Sequence, residues 1–189
     1  VINDGGGISG LKSVRADSSG DLHIAWVTGG PFGPYTPTYR RFSADGGFGP
    51  ATAVGFDDAG PVREMILSVN PTGTAFMMWL HYPNFANRSL WASRFVPGEG
   101  WGSPTPIDVP GSGSWSFEWP LTRIVVDPFG NATATWAQPV NGTRALCSNR
   151  FTADAGWDDA GVFVARDGGA FASAVATDAT GAVTIVWSQ

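Results

Sequence analysis

The chain has 189 residues, of which 43% are hydrophobic, 13% aromatic and only 14% charged, with 26 Gly, 14 Pro, nine Trp and one Cys. That apolar content can build a core, while a net charge of −5 with eleven scattered Lys and Arg disfavours a nucleic-acid or anionic-membrane surface. No apolar run reaches the roughly 18 residues of a membrane span, the lone Cys147 excludes an internal disulfide and reads as a small buried hydrophobe, and the Gly, Pro and aromatic content favours short strands over long helices.

Residues 1–10 begin in mid-repeat: Val1-Ile2 and then Asn3-Asp4-Gly5-Gly6-Gly7 match the segments 54–60, 107–113 and 162–169 that lead into later copies. A strand is predicted over 11–16, a turn at Asp17-Ser18-Ser19-Gly20, and a second strand over 21–27, where Leu22, Ile24 and Trp26 alternate with Asp21, His23 and Ala25. A Gly/Pro-rich connection, 28–36, leads to a second hairpin: a strand over 37–42, a turn at 43–47 and a strand over 48–54.

Both hairpins recur. The first returns at 67–79, 124–136 and 175–187, with Asp17, Asn70, Asp127 or Asp178 three residues before Gly20, Gly73, Gly130 or Gly181, and Trp26, Trp79, Trp136 or Trp187 six residues after that Gly. The Asp or Asn can accept a backbone N–H two residues on, and the Gly supplies a positive φ. The second hairpin is marked by Arg41-Phe42, Arg94-Phe95 and Arg150-Phe151, each followed by Gly47-Phe48, Gly100-Trp101 or Gly156-Trp157. The unit is therefore four short strands, repeating every 53, 57 and 51 residues as judged by the tryptophans. Such a period predicts an all-β β-propeller with four-stranded blades, in which the repeated Trp packs blade against blade. The expected organisation is one domain, 1–189, with units near 8–60, 61–113 and 114–169 and an incomplete unit 170–189: about three and a half blades.

Val126-Asp127-Pro128-Phe129-Gly130-Asn131 with Trp136, and Ser148-Asn149-Arg150-Phe151 leading to Gly156-Trp157, resemble repeats of large secreted or surface-attached bacterial proteins taken to be propellers, and are distantly similar to NHL-type repeats. The resemblance spans essentially the whole chain and implies a propeller fold and a secreted or cell-surface location. It implies no particular activity, because propellers host enzymes, lectins and scaffolds alike. The pattern also resembles the Asp-box of sialidase propellers, Ser-x-Asp-x-Gly-x-x-x-Trp, but here the Asp-to-Gly spacing is three rather than two. The arginine trio of that family cannot be assigned, so sialidase activity is not carried over.

Catalytic signals are sparse. His23 lies inside a repeat strand and reads as structural; His81 opens an atypical loop and is the better candidate. Neither has metal-ligand spacing to a Cys or carboxylate, so no zinc site is expected. Calcium at Asp17 to Asp21 is disfavoured because the other copies lack the second acid, and no cofactor is expected. The sequons at Asn87, Asn131 and Asn141 arise readily in such a composition. The repeat is broken where Gly113-Ser114-Trp115-Ser116-Phe117-Glu118-Trp119 replaces a Gly/Asp/Ala-like connection, and at His81-Tyr82-Pro83-Asn84-Phe85 and Pro31-Phe32-Gly33-Pro34-Tyr35. Aromatic faces stack on sugar C–H faces while Asn, Glu and His bond hydroxyls. Trp115, Phe117, Glu118, Trp119, His81, Tyr82, Asn84 and Tyr35 are therefore the candidate ligand residues; the competing reading is that these aromatics plug the ring or contact another chain.

Together these features describe an extracellular, non-enzymatic binding module for carbohydrate or a surface polymer, with no nucleic-acid partner and no membrane insertion. The alternative is an assembly protein whose incomplete propeller is completed by another chain, a second copy or a complementary one. A glycan-active enzyme would need a close carboxylate pair in a cleft, and none is evident.

Overall fold

The computed structural model describes residues 8–30, 33–55, 62–82, 88–109, 122–140, 143–159, 161–165 and 172–188, and among these there are strands and turns but no helix. The chain divides into two compact units, 1–106 and 107–189.

The first unit holds two antiparallel sheets. In sheet 1, β1 (Ile8–Ala16), β2 (Leu22–Gly30) and β3 (Gly33–Ser43) pair in chain order, and two short pieces, β4 (Gly47–Phe48) and β5 (Thr52–Ala53), line the far edge of β3. Sheet 2 repeats this with β6 (Val62–Val69), β7 (Ala75–His81), β8 (Ser89–Val96), β9 (Gly100–Trp101) and β10 (Thr105–Pro106). In the second unit, sheet 3 has β11 (Arg123–Val126), β12 (Ala132–Val140), β13 (Thr143–Thr152), β14 (Gly156–Trp157) and β15 (Val162–Ala165). Sheet 4 has β16 (Ala172–Thr177) and β17 (Val183–Ser188) alone.

Two expectations about strand limits change. The predicted strand over 48–54 is two pieces, because Gly49 N–H turns back to the Arg41 carbonyl at 2.9 Å and Pro50 has no N–H to extend the ladder. The same break recurs where Gly102 N–H bonds Arg94 O and Asp158 N–H bonds Arg150 O. The predicted connection over 28–36 is mostly strand: β2 and β3 stay paired from Leu22↔Phe42 to Gly30↔Gly33, helped by a 2.7 Å bond between the Thr28 and Thr38 hydroxyls. Glycine and proline there mark the end of a long hairpin rather than a loop.

The turns of the first hairpin are built alike in all four copies. One oxygen of Asp17 accepts the N–H groups of Ser19 and Asp21, at 2.9 and 3.1 Å. Asn70 does the same for Thr72 and Thr74, Asp127 for Phe129 and Asn131, and Asp178 for Thr180 and Ala182, all between 2.8 and 3.0 Å. The glycines that follow have φ of 81°, 83°, 82° and 82°, where a Cβ would be strained. Gly73 also sits against the neighbouring turn, since a Cβ there would be 3.2 Å from Asp17 Oδ2, whereas one on Gly20 would meet nothing within 4 Å. Gly20→Ala is therefore expected to cost about 1–2 kcal/mol from φ alone, and Gly73→Ala more, as measured by urea denaturation of the two variants.

The repeat tryptophans of the three larger sheets are buried: Trp26, Trp79 and Trp136 are 3%, 1% and 0% exposed. In the first unit Trp79 joins one core with Ala25, Val27, Tyr39 and Val54 of sheet 1 and Leu67, Ala75 and Met77 of sheet 2. Alternation along β2 and β7 turns these residues to facing sides, so the two sheets pack through them as expected. Cys147 is buried in β13 as the sequence implied.

Candidate functional site

Each of the three larger sheets has a turn end, where the Asp or Asn turn joins its first and second strands, and an opposite end, where its second strand approaches the third. His81 ends β7 at the opposite end, opposite Val62 and Ser89, and is 4% exposed. Tyr82 follows it, half-buried, with the Arg88 guanidinium 4.8 Å from its ring centre. Tyr35 lies in β3 rather than a loop and packs on the first unit's core. Asn84, Trp115, Phe117, Glu118 and Trp119 lie outside the described residues.

At the turn end of sheet 1 the structure brings together groups that the linear pattern kept apart. Asp21 lies just before β2 and His23 within it, two residues apart, and Tyr39 and Arg41 lie in β3, with His23 directly opposite Arg41 and Ala25 opposite Tyr39. Arg41 Nη2 donates to Asp21 Oδ2 at 2.5 Å and lies 3.8 Å from Asp17 Oδ2. The carboxylates considered for calcium thus share a guanidinium. Behind this pair, His23 Nε2 is 3.3 Å from Asp17 Oδ2 and His23 Nδ1 is 2.8 Å from the Tyr39 hydroxyl. The His23 and Asp17 side chains are 0% and 3% exposed.

Burial alone would raise the Asp17 carboxyl, but hydrogen bonds from His23 and from the Asp21 and Ser19 amides outweigh it and hold Asp17 below the usual carboxylate range. An ionised carboxylate only accepts, so His23 carries its proton on Nε2, donates it to Asp17, and receives the Tyr39 O–H on Nδ1. Burial pushes His23 below its ordinary value; Asp17 opposes this and the nearby Arg41 charge adds to it. Burial likewise raises the Tyr39 phenol far above its ordinary value, against the Arg41 charge and with the Asp17 and Asp21 charges. Tyr39 and His23 are closed over by Phe95 and Trp101, with ring centres 5.1–6.0 Å apart. His23 reads as structural, as its place in a strand implied: it holds Asp17 and so the turn.

Arg41 and Asp21 face an open cleft of about 400 Å³, walled also by Ser43, Gly46, Gly47 and Gly49. Ser43 Oγ accepts the Gly46 N–H, and Arg41 Nε has no partner among the described residues. Around Asn131 and Arg150, the counterparts of Asp21 and Arg41 in sheet 3, the space is walled instead by Val125, Asp127 and Thr133 and by Thr177 and Val183 of sheet 4, and holds no volume that a water could fill. The cleft can accept hydrogen bonds through Asp21 and donate them through Arg41 and Ser43. His23, behind the pair, is sealed off from this cleft, its side chain 0% exposed. Among the described residues no three His, Cys, Asp or Glu side chains converge as a metal site would need.

This cluster was visible only as separate fragments: Arg41 as a repeat marker, Asp21 as a weak calcium ligand, His23 as a lone histidine. The available signal was departure from the repeat. Where sheet 1 has Asp21 and His23, the later copies have Thr74 and Phe76, Asn131 and Thr133, and Ala182 and Thr184. Asn131, one of the sequon residues, is itself tied down, donating from its amide to Asp127 Oδ2 at 2.8 Å and accepting Ala153 N–H.

No protein-family model and no curated protein matches the sequence. Among solved structures, the chain is similar to the Hadza microbial sialidase Hz136, with a TM-score of 0.57 and 15% identity over 87% of this chain and 39% of that one. It is also similar to the endo-arabinase from Bacteroides thetaiotaomicron VPI-5482, with a TM-score of 0.50 and 12% identity over 93% of this chain and 68% of that one. The chain thus spans well under half of the sialidase's length. At these identities the likeness is one of fold, and the fold is the β-propeller class that the repeat predicts.

Proposed function

We propose that this chain is a saccharide-binding propeller module, with the Asp21–Arg41 cleft as its binding site. The observation that carries the reading is the cleft itself: a pre-formed carboxylate–guanidinium pair beside a serine hydroxyl and three glycines, in about 400 Å³. Small-molecule sites typically occupy about 300–1,000 Å³ with a few convergent polar groups. Neighbouring sugar hydroxyls suit such a pair, one donating to Asp21 while the next accepts from Arg41, and the side-chain-free glycine wall leaves room for a ring. The two structural neighbours, named as a sialidase and an endo-arabinase, make a sugar the first ligand class to try.

The test is calorimetric titration with sialylated, arabinan-derived and neutral oligosaccharides. Saturable binding to at least one is expected, weakened about tenfold or more in Asp21→Asn and Ser43→Ala variants, since lost polar partners cost about 1–3 kcal/mol, while circular dichroism stays unchanged. Absence of binding across the set would overturn the proposal. Loss of binding in Tyr82→Ala or Trp119→Ala with Asp21→Asn unaffected would assign the ligand to the aromatic segments instead.

A further inference from the structure

Three equivalent positions at the turn end of each larger sheet differ in charge balance. Asn70, Thr74 and Arg94 set no carboxylate against one guanidinium, and Asp127, Asn131 and Arg150 set one against one. Asp17, Asp21 and Arg41 set two against one, and of these Asp21 and Arg41 line the open cleft.

Both carboxylates draw on one nitrogen, since Arg41 Nη2 lies 2.5 Å from Asp21 Oδ2 and 3.8 Å from Asp17 Oδ2. The Asp17 side chain is only 3% exposed, so water screens its charge little. No other charged side chain among the described residues lines the cleft: Arg15 and Arg40 turn to the backbone carbonyls of Val14 and Gly49, and Asp45 is exposed in the turn before Gly46. The cleft therefore carries an excess of one negative charge.

We infer that, within the saccharide-binding reading on which this rests, the cleft takes a sugar unit bearing a free amino group and rejects one bearing a carboxylate. An ammonium in place of the hydroxyl that donates to Asp21 brings the local charges into balance. The neighbouring hydroxyl still accepts from Arg41, or from Ser43 Oγ, which accepts the Gly46 N–H and keeps its own proton to donate. A ligand carboxylate would instead be a third anion around a guanidinium whose Nη2 is already held by two.

The test is calorimetric titration with the β-1,4-linked disaccharides of glucosamine, glucose and glucuronic acid at low salt and about pH 7, below the ordinary amine range. The glucosamine disaccharide should bind about threefold or more tighter than the glucose one, and the glucuronic acid disaccharide about tenfold or more weaker than the glucosamine one, with both gaps narrowing as salt is raised. Asp17→Asn, which places in sheet 1 the residue that Asn70 supplies in sheet 2, removes one charge without altering a residue that lines the cleft, and should narrow the gap between amine and acid by about threefold or more. The order measured on the wild-type chain is decisive by itself if that variant does not fold. A flat or reversed order, or a gap that Asp17→Asn leaves unchanged, would overturn the inference while the saccharide reading stands. So would failure of all three to bind to a chain that takes an arabinan-derived oligosaccharide. Absence of binding to every sugar would sink the saccharide reading and the inference together.

Discussion

Trp136→Ala is expected to destabilise the second unit by about 3–5 kcal/mol, the usual cost of truncating a fully buried large aromatic, while Trp187→Ala in the same unit costs less than about 1 kcal/mol, as surface changes do. The two residues hold the same place in their repeats, so sequence alone would assign them equal weight. Trp136 is 0% exposed, Gly161 packs on its ring, and its Nε1 donates to Gln138 Oε1 at 2.5 Å. Removal would leave a cavity and take a partner from a buried amide. Trp187 is 42% exposed, so truncation forfeits only part of its contacts. Urea unfolding of both variants decides the matter. Equal losses would show that Trp187 is covered in solution.

The second large effect is a loss of stability in mild acid that one residue controls. His23 is fully buried and its folded pKa lies below the ordinary value of 6.5, so the unfolded chain takes up its proton first as pH falls. Its contribution is a stability present in full above the unfolded pKa and lost as pH drops from about 6.5 towards the lower folded value, with a slope of at most about 1.4 kcal/mol per pH unit for one proton. Asp17, whose folded pKa is also lowered, acts further down: its stabilisation is present above about pH 4 and is lost as pH falls through the folded value. Protonated His23 would face Asp17 and Asp21 but also the Arg41 guanidinium, with Tyr39 and Phe95 packed against its ring.

His23→Phe should abolish the slope above pH 5 and also shrink the Asp17 limb, because the imidazole's hydrogen bond is the largest influence lowering that carboxyl. The repeat itself supplies the precedent, since Phe76 fills the same position in β7 and is 0% exposed. At neutral pH the substitution strands the Tyr39 hydroxyl and one Asp17 oxygen, at a cost of about 1–3 kcal/mol, and adding Tyr39→Phe should recover part of it. Denaturation midpoints between pH 4 and 8 for the wild type and both variants are the measurement. An unchanged slope in His23→Phe would locate the titrating group elsewhere.

How much of this was legible in advance depended on whether the information was local. The Asp-x-x-Gly turn is a contest settled within five residues: a short carboxylate or amide that reaches the next two amides, and a glycine that alone accepts a φ near +82° without strain. Four copies at constant spacing made turn, strand pairing and repeat length readable, and the repeat length named the fold class. The broken outer strand and the long β2–β3 hairpin were less legible, because glycine and proline mark a bulge, a strand end or a loop equally well until a neighbouring strand is present to pair.

The candidate cleft was not legible. Asp21, His23, Tyr39 and Arg41 become one cluster only when β2 lies beside β3 in a register that sets His23 against Arg41, and only when the next sheet's Phe95 closes over the imidazole. Charge pairing, desolvation and cavity shape depend on distances between segments, which a linear pattern does not contain. The amino-acid sequence by itself determined the turns, the strand alternation and the propeller repeat, since each follows from steric and hydrogen-bonding preferences of near neighbours. Only the tertiary structure decided which of four identical tryptophans are buried and which polar residues share a cleft, because burial and proximity belong to the packed chain.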